Sequence, residues 1–170
     1  MSDSIEPVVV PRENWQLSPE GQAKVKAELK RYEQIDSAII PALYIAQKEN
    51  KGWINANVIR HLSQLMEIPE SKINEVFKFY TMFNQKPIGR HHVQICGTLS
   101  CHVNGAGDLT KHICRELKVG MDEVTKDGKF TVSRAECLGS CGTAPMMLVG
   151  TKYYENLTPE SAMNILRSLP

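Results

Sequence analysis

The chain has 170 residues, with 20 Lys+Arg against 19 Asp+Glu and 42% hydrophobic residues, an ordinary globular composition with length for one domain or two small ones. A formal charge of +1, with neither half forming a basic or acidic arm, argues against nucleic-acid binding as its main business, because phosphate binding needs a clustered cationic surplus. No stretch approaches the roughly 18 uninterrupted apolar residues of a membrane-spanning helix, so no direct membrane insertion is expected. The start, MSDSIEPVVVPRENWQLSPE, has neither the apolar centre of a signal peptide nor the Arg-rich, acid-poor character of a transit peptide. The expectation is a cytoplasmic protein in a reducing compartment, where clustered cysteines serve as metal ligands or redox groups more often than as disulfides.

The first half reads as helices. Ser18 can cap a helix with Pro19 in its first turn, predicted over residues 19–34. A second helical pattern carries Ile39, Ile40, Leu43, Tyr44 and Ala46, has cations at Lys48 and Lys51, and stops at Gly52. A third begins after Asn55 and places Val58, Ile59, Leu62, Leu65 and Met66 on one face. A fourth begins at Pro69 with Ile73, Val76, Phe77 and Tyr80. These predict a small helical bundle over residues 1–86. After the break at 85–89 the pattern changes to a strand over 91–95, a helix over 105–119 and a strand over 130–135. A short strand follows over 146–149, with its hairpin partner over 152–154, and a last helix runs from Thr158-Pro159 through Leu169. A βαβ unit followed by a ββα unit is the element order of a thioredoxin-like domain, here 87–170, and the fold class is α+β.

All five cysteines lie between Cys96 and Cys141. Four form two pairs: Cys96 and Cys101 with four residues between them, then Cys137 and Cys141 with three. Each pair is expected on the loop after a strand, and two neighbouring strands would bring those loops to one edge of a sheet, where four thiolates could converge on a metal centre. Structural zinc favours pairs separated by two residues. The wider loops suit two irons better, each pair holding its own iron in a [2Fe–2S] cluster. A zinc-stabilised adaptor domain without redox function is the alternative from a different class. Small residues between the cysteines, among them Gly97, Ser100, Gly139 and Ser140, let backbone N–H groups approach the sulfurs.

Other chemistries fit less well. A thioredoxin-type dithiol needs Cys-x-x-Cys, which is absent, and a c-type haem reading of Cys101-His102 leaves two cysteines idle. A Rieske centre needs two imidazoles in place of two thiolates; four paired cysteines leave His91, His92 and His102 to packing or solvent. Cys114 shares a helix face with Thr110, Ile113 and Leu117 and reads as a small buried hydrophobe. Phe77, Phe79, Tyr80, Met82 and Phe83 read either as core or as a partner-binding face. No glycine-rich loop follows a predicted strand in the dinucleotide-binding pattern, so the chain carries no nucleotide-binding signature of its own.

Cys96-x4-Cys101-His102-Val103 and the string Cys137-Leu138-Gly139-Ser140-Cys141-Gly142-Thr143-Ala144-Pro145-Met146-Met147 resemble the thioredoxin-like [2Fe–2S] subunit of NADH:quinone oxidoreductase. This is the E subunit, or 24 kDa subunit, of respiratory complex I. Ala46-Gln47-Lys48, Gly52-Trp53-Ile54 and Phe79-Tyr80-Thr81-Met82-Phe83 are similar to the family's N-terminal segment. The resemblance implies that Cys96, Cys101, Cys137 and Cys141 ligate the cluster and that the helical half packs on a flavoprotein subunit that binds FMN and NADH. It also implies contact with other peripheral-arm subunits, a place peripheral to the inner membrane, and a cis peptide bond as a possibility before Pro145. The equivalent small subunit of an NAD-linked formate dehydrogenase or NAD-reducing hydrogenase is the nearest alternative.

Overall fold

The computed structural model describes residues 15–170, and most of the N-terminal segment that bears on targeting signals lies outside the described residues. The chain divides into two compact units, the first ending at Pro87 and the second beginning at Ile88.

The first unit contains α1 (Pro19–Leu29), α2 (Ile39–Glu49), α3 (Ala56–Met66) and α4 (Glu70–Phe79). Ser18 caps α1 by accepting the Gly21 N–H, and Asn55 Oδ1 caps α3 by accepting the N–H groups of Asn57 and Val58, each at 3.0 Å. Such a cap contributes about 1 kcal/mol. Helix α1 stops five residues short of the predicted 34. Residues 30–37 are all exposed, so there is no apolar face to extend, and a 3-10 turn (Ile35–Ala38) leads into α2 instead. Its Asp36 forms an ion pair with Lys72. Val25, Leu43, Ile54, Val58, Leu62, Met66, Ile73 and Phe77 fill the core, and burying each such side chain contributes about 1.5–3 kcal/mol. The aromatic run divides: Phe77 and Phe83 are core, whereas Phe79 is 77% exposed, with Tyr80 and Met82 beside it at the surface.

The second unit is a four-stranded mixed sheet: β1 (His91–Cys96), β2 (Phe130–Ala135), β3 (Met147–Val149) and β4 (Lys152–Tyr154), in the order β2-β1-β3-β4. Strands β1 and β2 are parallel, with His91 opposite Phe130 and Cys96 opposite Ala135. Strands β3 and β4 form an antiparallel hairpin whose β3 also pairs antiparallel with β1. Between β1 and β2 run a short helix α5 (Leu99–Val103) and the crossover helix α6 (Ala106–Leu117); α7 (Pro159–Ser168) closes the chain. Thr158 and Ser161 form a capping box at the start of α7. Val93, Ile95, Leu109, Ile113, Val132, Met146, Met147 and Leu166 make the core.

The connection before β2 straps the sheet's outer edge. Asp122 N–H donates to Val132 O at 2.8 Å, Thr125 N–H donates to Phe130 O at 2.9 Å, and Val124 bridges Thr131. The sheet-side histidines take packing roles. His92 Nε2 lies 2.6 Å from Ser133 Oγ, and the His91 ring tilts against Phe130 with Nε2 2.8 Å from Pro170 O.

Candidate metal centre

Because β1 and β2 are parallel neighbours in register, the segments that leave them emerge at one edge of the sheet. Cys96 is the last residue of β1 itself, because its N–H still bonds Met146 O at 3.3 Å and the ladder runs one residue beyond the predicted end. Cys101 lies on α5, a helix with no counterpart in the sequence pattern. Five residues are too few for periodicity to register. Thr98 occupies its N-cap position, but the Thr98 hydroxyl bonds Glu136 O instead of the helix. That bond ties the first cysteine loop to the residue before Cys137. Arg134 Nη2 donates to Gly97 O at 2.8 Å, and a Cβ at position 97 would overlap the Arg134 side chain, so a larger residue there requires Arg134 to shift from this position.

The second loop turns at Gly139, whose φ of 74° is the left-handed conformation that side chains resist. Gly139 N–H points at Cys137 Sγ at 3.4 Å. A 3-10 turn (Cys141–Thr143) follows, and the Ala144–Pro145 peptide bond is cis. The Ser140 and Thr143 hydroxyls, 2.6 Å apart, both reach Glu155 Oε1.

Cys96 and Cys101 are buried; Cys137 and Cys141 are exposed. Burial opposes ionisation at both inner cysteines. At Cys96 the backbone N–H groups of Thr98 and Leu138, with help from the Cys101 thiol, outweigh burial and hold the thiol below its ordinary value. At Cys101, burial first and then the adjacent Cys96 push the thiol up to about 11, against the Met146 N–H, and Cys141 acts in the same upward direction. The Leu138 N–H on the Cys96 sulfur also brings the second loop against the first. Among the described residues, no three His, Cys, Asp or Glu side chains are gathered tightly enough for one metal ion; the four thiols stand as pairs on two adjoining loops. Cys114 lies apart on α6, half-buried rather than fully buried, its thiol 3.7 Å from Met121 Sδ.

Arg134, Glu136 and Glu155, which tie these loops, carry no mark in the sequence. Their partners are 12 to 38 residues away in the chain, and an isolated charged residue carries no periodic signal.

The parallel β1–β2 pair, crossover helix, β3–β4 hairpin and closing helix, with cysteines at the shared strand edge, define a thioredoxin-like domain of the ferredoxin class. The thioredoxin-like [2Fe-2S] ferredoxin family matches residues 25–170. The E subunit of NADH-quinone oxidoreductase from Rickettsia bellii (strain RML369-C) is 42% identical over 133 residues, covering 78% of this chain and 80% of the relative. Its counterpart in Rickettsia prowazekii (strain Madrid E) is 42% identical over 121 residues, covering 71% of this chain and 68% of the relative. A crystal structure of an NAD+-reducing [NiFe]-hydrogenase shares the fold at a TM-score of 0.64 and 21% identity, over 75% of this chain and 23% of that longer chain. The chain belongs to the thioredoxin-like [2Fe-2S] ferredoxin family, among the E subunits of NADH-quinone oxidoreductase.

Proposed function

We propose that Cys96, Cys101, Cys137 and Cys141 hold one [2Fe–2S] cluster and that the chain is an electron-carrying subunit of an NADH:quinone oxidoreductase. The observation that carries this reading is the pairing of four thiols, two on each of the loops that leave β1 and β2 at their common edge. Backbone N–H groups of Thr98, Leu138, Met146 and Gly139 already point at three of the sulfurs. Soft thiolates suit iron–sulfur centres, and N–H groups on the sulfurs stabilise the extra negative charge of the reduced state. The donor set therefore fits the group.

When bound, the cluster supplies reversible one-electron transfer beside the FMN of an NADH-binding partner, which takes two electrons as a hydride and passes them on singly. The chain's own residues hold the thiols at the sheet edge, bury one pair and leave the other at the surface. The helical unit, 1–86, docks on the flavoprotein and other peripheral-arm subunits, and exposed Phe79, Tyr80 and Met82 offer it an apolar face. No described helix is long and apolar enough to cross a membrane, which accords with a place peripheral to the inner membrane on the cytoplasmic side.

Metal analysis and a visible spectrum of protein purified without oxygen test the cluster. Two irons with two acid-labile sulfides, bleached on reduction, are expected; stoichiometric zinc in a colourless protein would favour the adaptor reading. Co-purification of an FMN- and NADH-binding chain from a membrane-peripheral complex is expected. A soluble hydrogenase or formate dehydrogenase assembly would replace the respiratory assignment.

A further inference from the structure

We propose that Glu155 is a positioning residue for the cysteine centre: its carboxylate latches the Cys137–Cys141 loop, and its fixed negative charge lowers the centre's reduction potential. This rests on the proposed cluster and adds to it a residue outside the cysteine loops.

The loop has little of its own to hold it. Gly139 and Gly142 stand on either side of Ser140-Cys141, a Cβ at either glycine would meet nothing within 4 Å, and Cys137, Gly139, Cys141 and Gly142 are all exposed. Order is supplied from the connection between β4 and α7. One oxygen of Glu155 gathers the hydroxyl of Ser140, directly before Cys141, and that of Thr143, at the end of the 3-10 turn that Cys141 begins, the latter at 2.6 Å. The next two residues complete the attachment. Asn156 N–H donates to Thr143 O at 2.8 Å and Leu157 N–H donates to Pro145 O at 3.0 Å. Leu157 is buried in the core with Met146 and Met147. A short anchored segment therefore grips the turn carrying Cys141 from outside, and Glu155 is its only side chain bonded to the loop's hydroxyls.

The carboxylate is also a charge. Hydrogen bonds from Ser140 and then Thr143 hold it below the usual carboxylate range, so it is ionised at neutral pH, and hydroxyls rather than cations satisfy it. The other loop has the opposite arrangement, with the Arg134 guanidinium on Gly97 O. Reduction adds a negative charge to the centre, and an anion held one residue from Cys141 opposes it.

The test uses the full chain purified without oxygen. Glu155→Gln keeps an oxygen for both hydroxyls and removes only the charge, so iron and sulfide content stays at the wild-type level. The ratio of reduced to oxidised protein at a fixed ambient potential should rise about threefold, an upward shift of roughly 28 mV at 59 mV per decade. That difference should shrink in about 1 M salt, where the Debye length is ~3 Å, which loss of a merely structural contact would not do. Glu155→Ala removes the latch, and its visible absorbance should be lost several-fold faster under chelator challenge. An unshifted potential in Glu155→Gln, or chelator resistance of Glu155→Ala equal to wild type, overturns this inference while leaving the cluster reading intact. Wild-type protein without iron and sulfide overturns the cluster reading itself, and this inference with it.

Discussion

The entry into β1 permits a sharp stability prediction at Gly89. A Cβ built there would lie 2.5–2.8 Å from the N, Cα and C atoms of Phe130, below the 3.0 Å that real Cβ contacts respect. The obstacle is backbone, so no rotamer change relieves it, and Gly89→Ala must push the starts of β1 and β2 apart where His91 opposes Phe130. The displacement also breaks the buried bond from Gly89 N–H to Thr131 Oγ1 at 2.8 Å. Overpacking costs about 1–3 kcal/mol and the lost bond about 1 kcal/mol more, which together predict a loss of about 2–4 kcal/mol.

Trp15 and Trp53 both lie in the first unit, so tryptophan fluorescence does not report on the sheet. Native-state exchange of the Arg90 and His91 amides, which bond Gly128 O and Lys129 O at 3.0 and 2.8 Å, does. The opening free energy at these amides should fall by about 3 kcal/mol in Gly89→Ala, against under about 0.5 kcal/mol in Gly142→Ala, whose Cβ enters open space. A loss at Gly89 below about 1 kcal/mol, or an equal loss at both positions, would refute the steric reasoning.

Three further outcomes are expected. Cys96→Ser and Cys137→Ser should each lose or destabilise the iron centre while Cys114→Ser retains it; equal loss in all three, read by iron content and visible absorbance, would show the donor assignment to be wrong. Burial of His92 lowers its pKa, with Asp122 partly opposing it. The folded state therefore favours the neutral ring, and this contribution is complete above the unfolded value of about 6.5 and is lost as pH falls below it. Denaturation midpoints should drop from pH 7.5 to 5.5, less so in His92→Gln; a midpoint rising on acidification would contradict the assigned burial. Thr158→Ala removes one half of the α7 capping box and should cost about 1 kcal/mol, measured by chemical denaturation followed by exchange at Ala162 N–H, which bonds Thr158 O at 3.0 Å.

What can be read from the sequence depends on how local the signal is. Helices α2, α3, α4 and α7 announce themselves because apolar spacing coincides with stop and start residues such as Gly52, Asn55, Pro69 and Thr158. Helix α1 reads too long because Lys30 and Arg31 are good helix formers, and propensity alone does not hold a turn with nothing to bury. The run from Phe77 to Phe83 leaves core and surface open because the helix ends at Phe79. Beyond it the 3.6-residue period no longer decides which ring faces inward, and Phe83 returns to the core while Phe79 does not. At the cysteines, spacing nominates residues but not their surroundings. The crossed ties from Thr98 to Glu136, Arg134 to Gly97 and Glu155 to Ser140 exist only after the sheet has brought distant segments together.

The strap along β2 has a consequence for how this unit can meet other chains. With Asp122, Val124 and Thr125 occupying the outer side of β2, the only sheet margin left among the described residues is β4, three residues long and opening on Lys152. So short a margin, beginning with a lysine, is a poor template for an added strand. Recognition of the second unit therefore has to be written in side chains and loop shape, which keeps it selective for a partner of matching contour and resistant to the indiscriminate stacking that bare sheet margins invite.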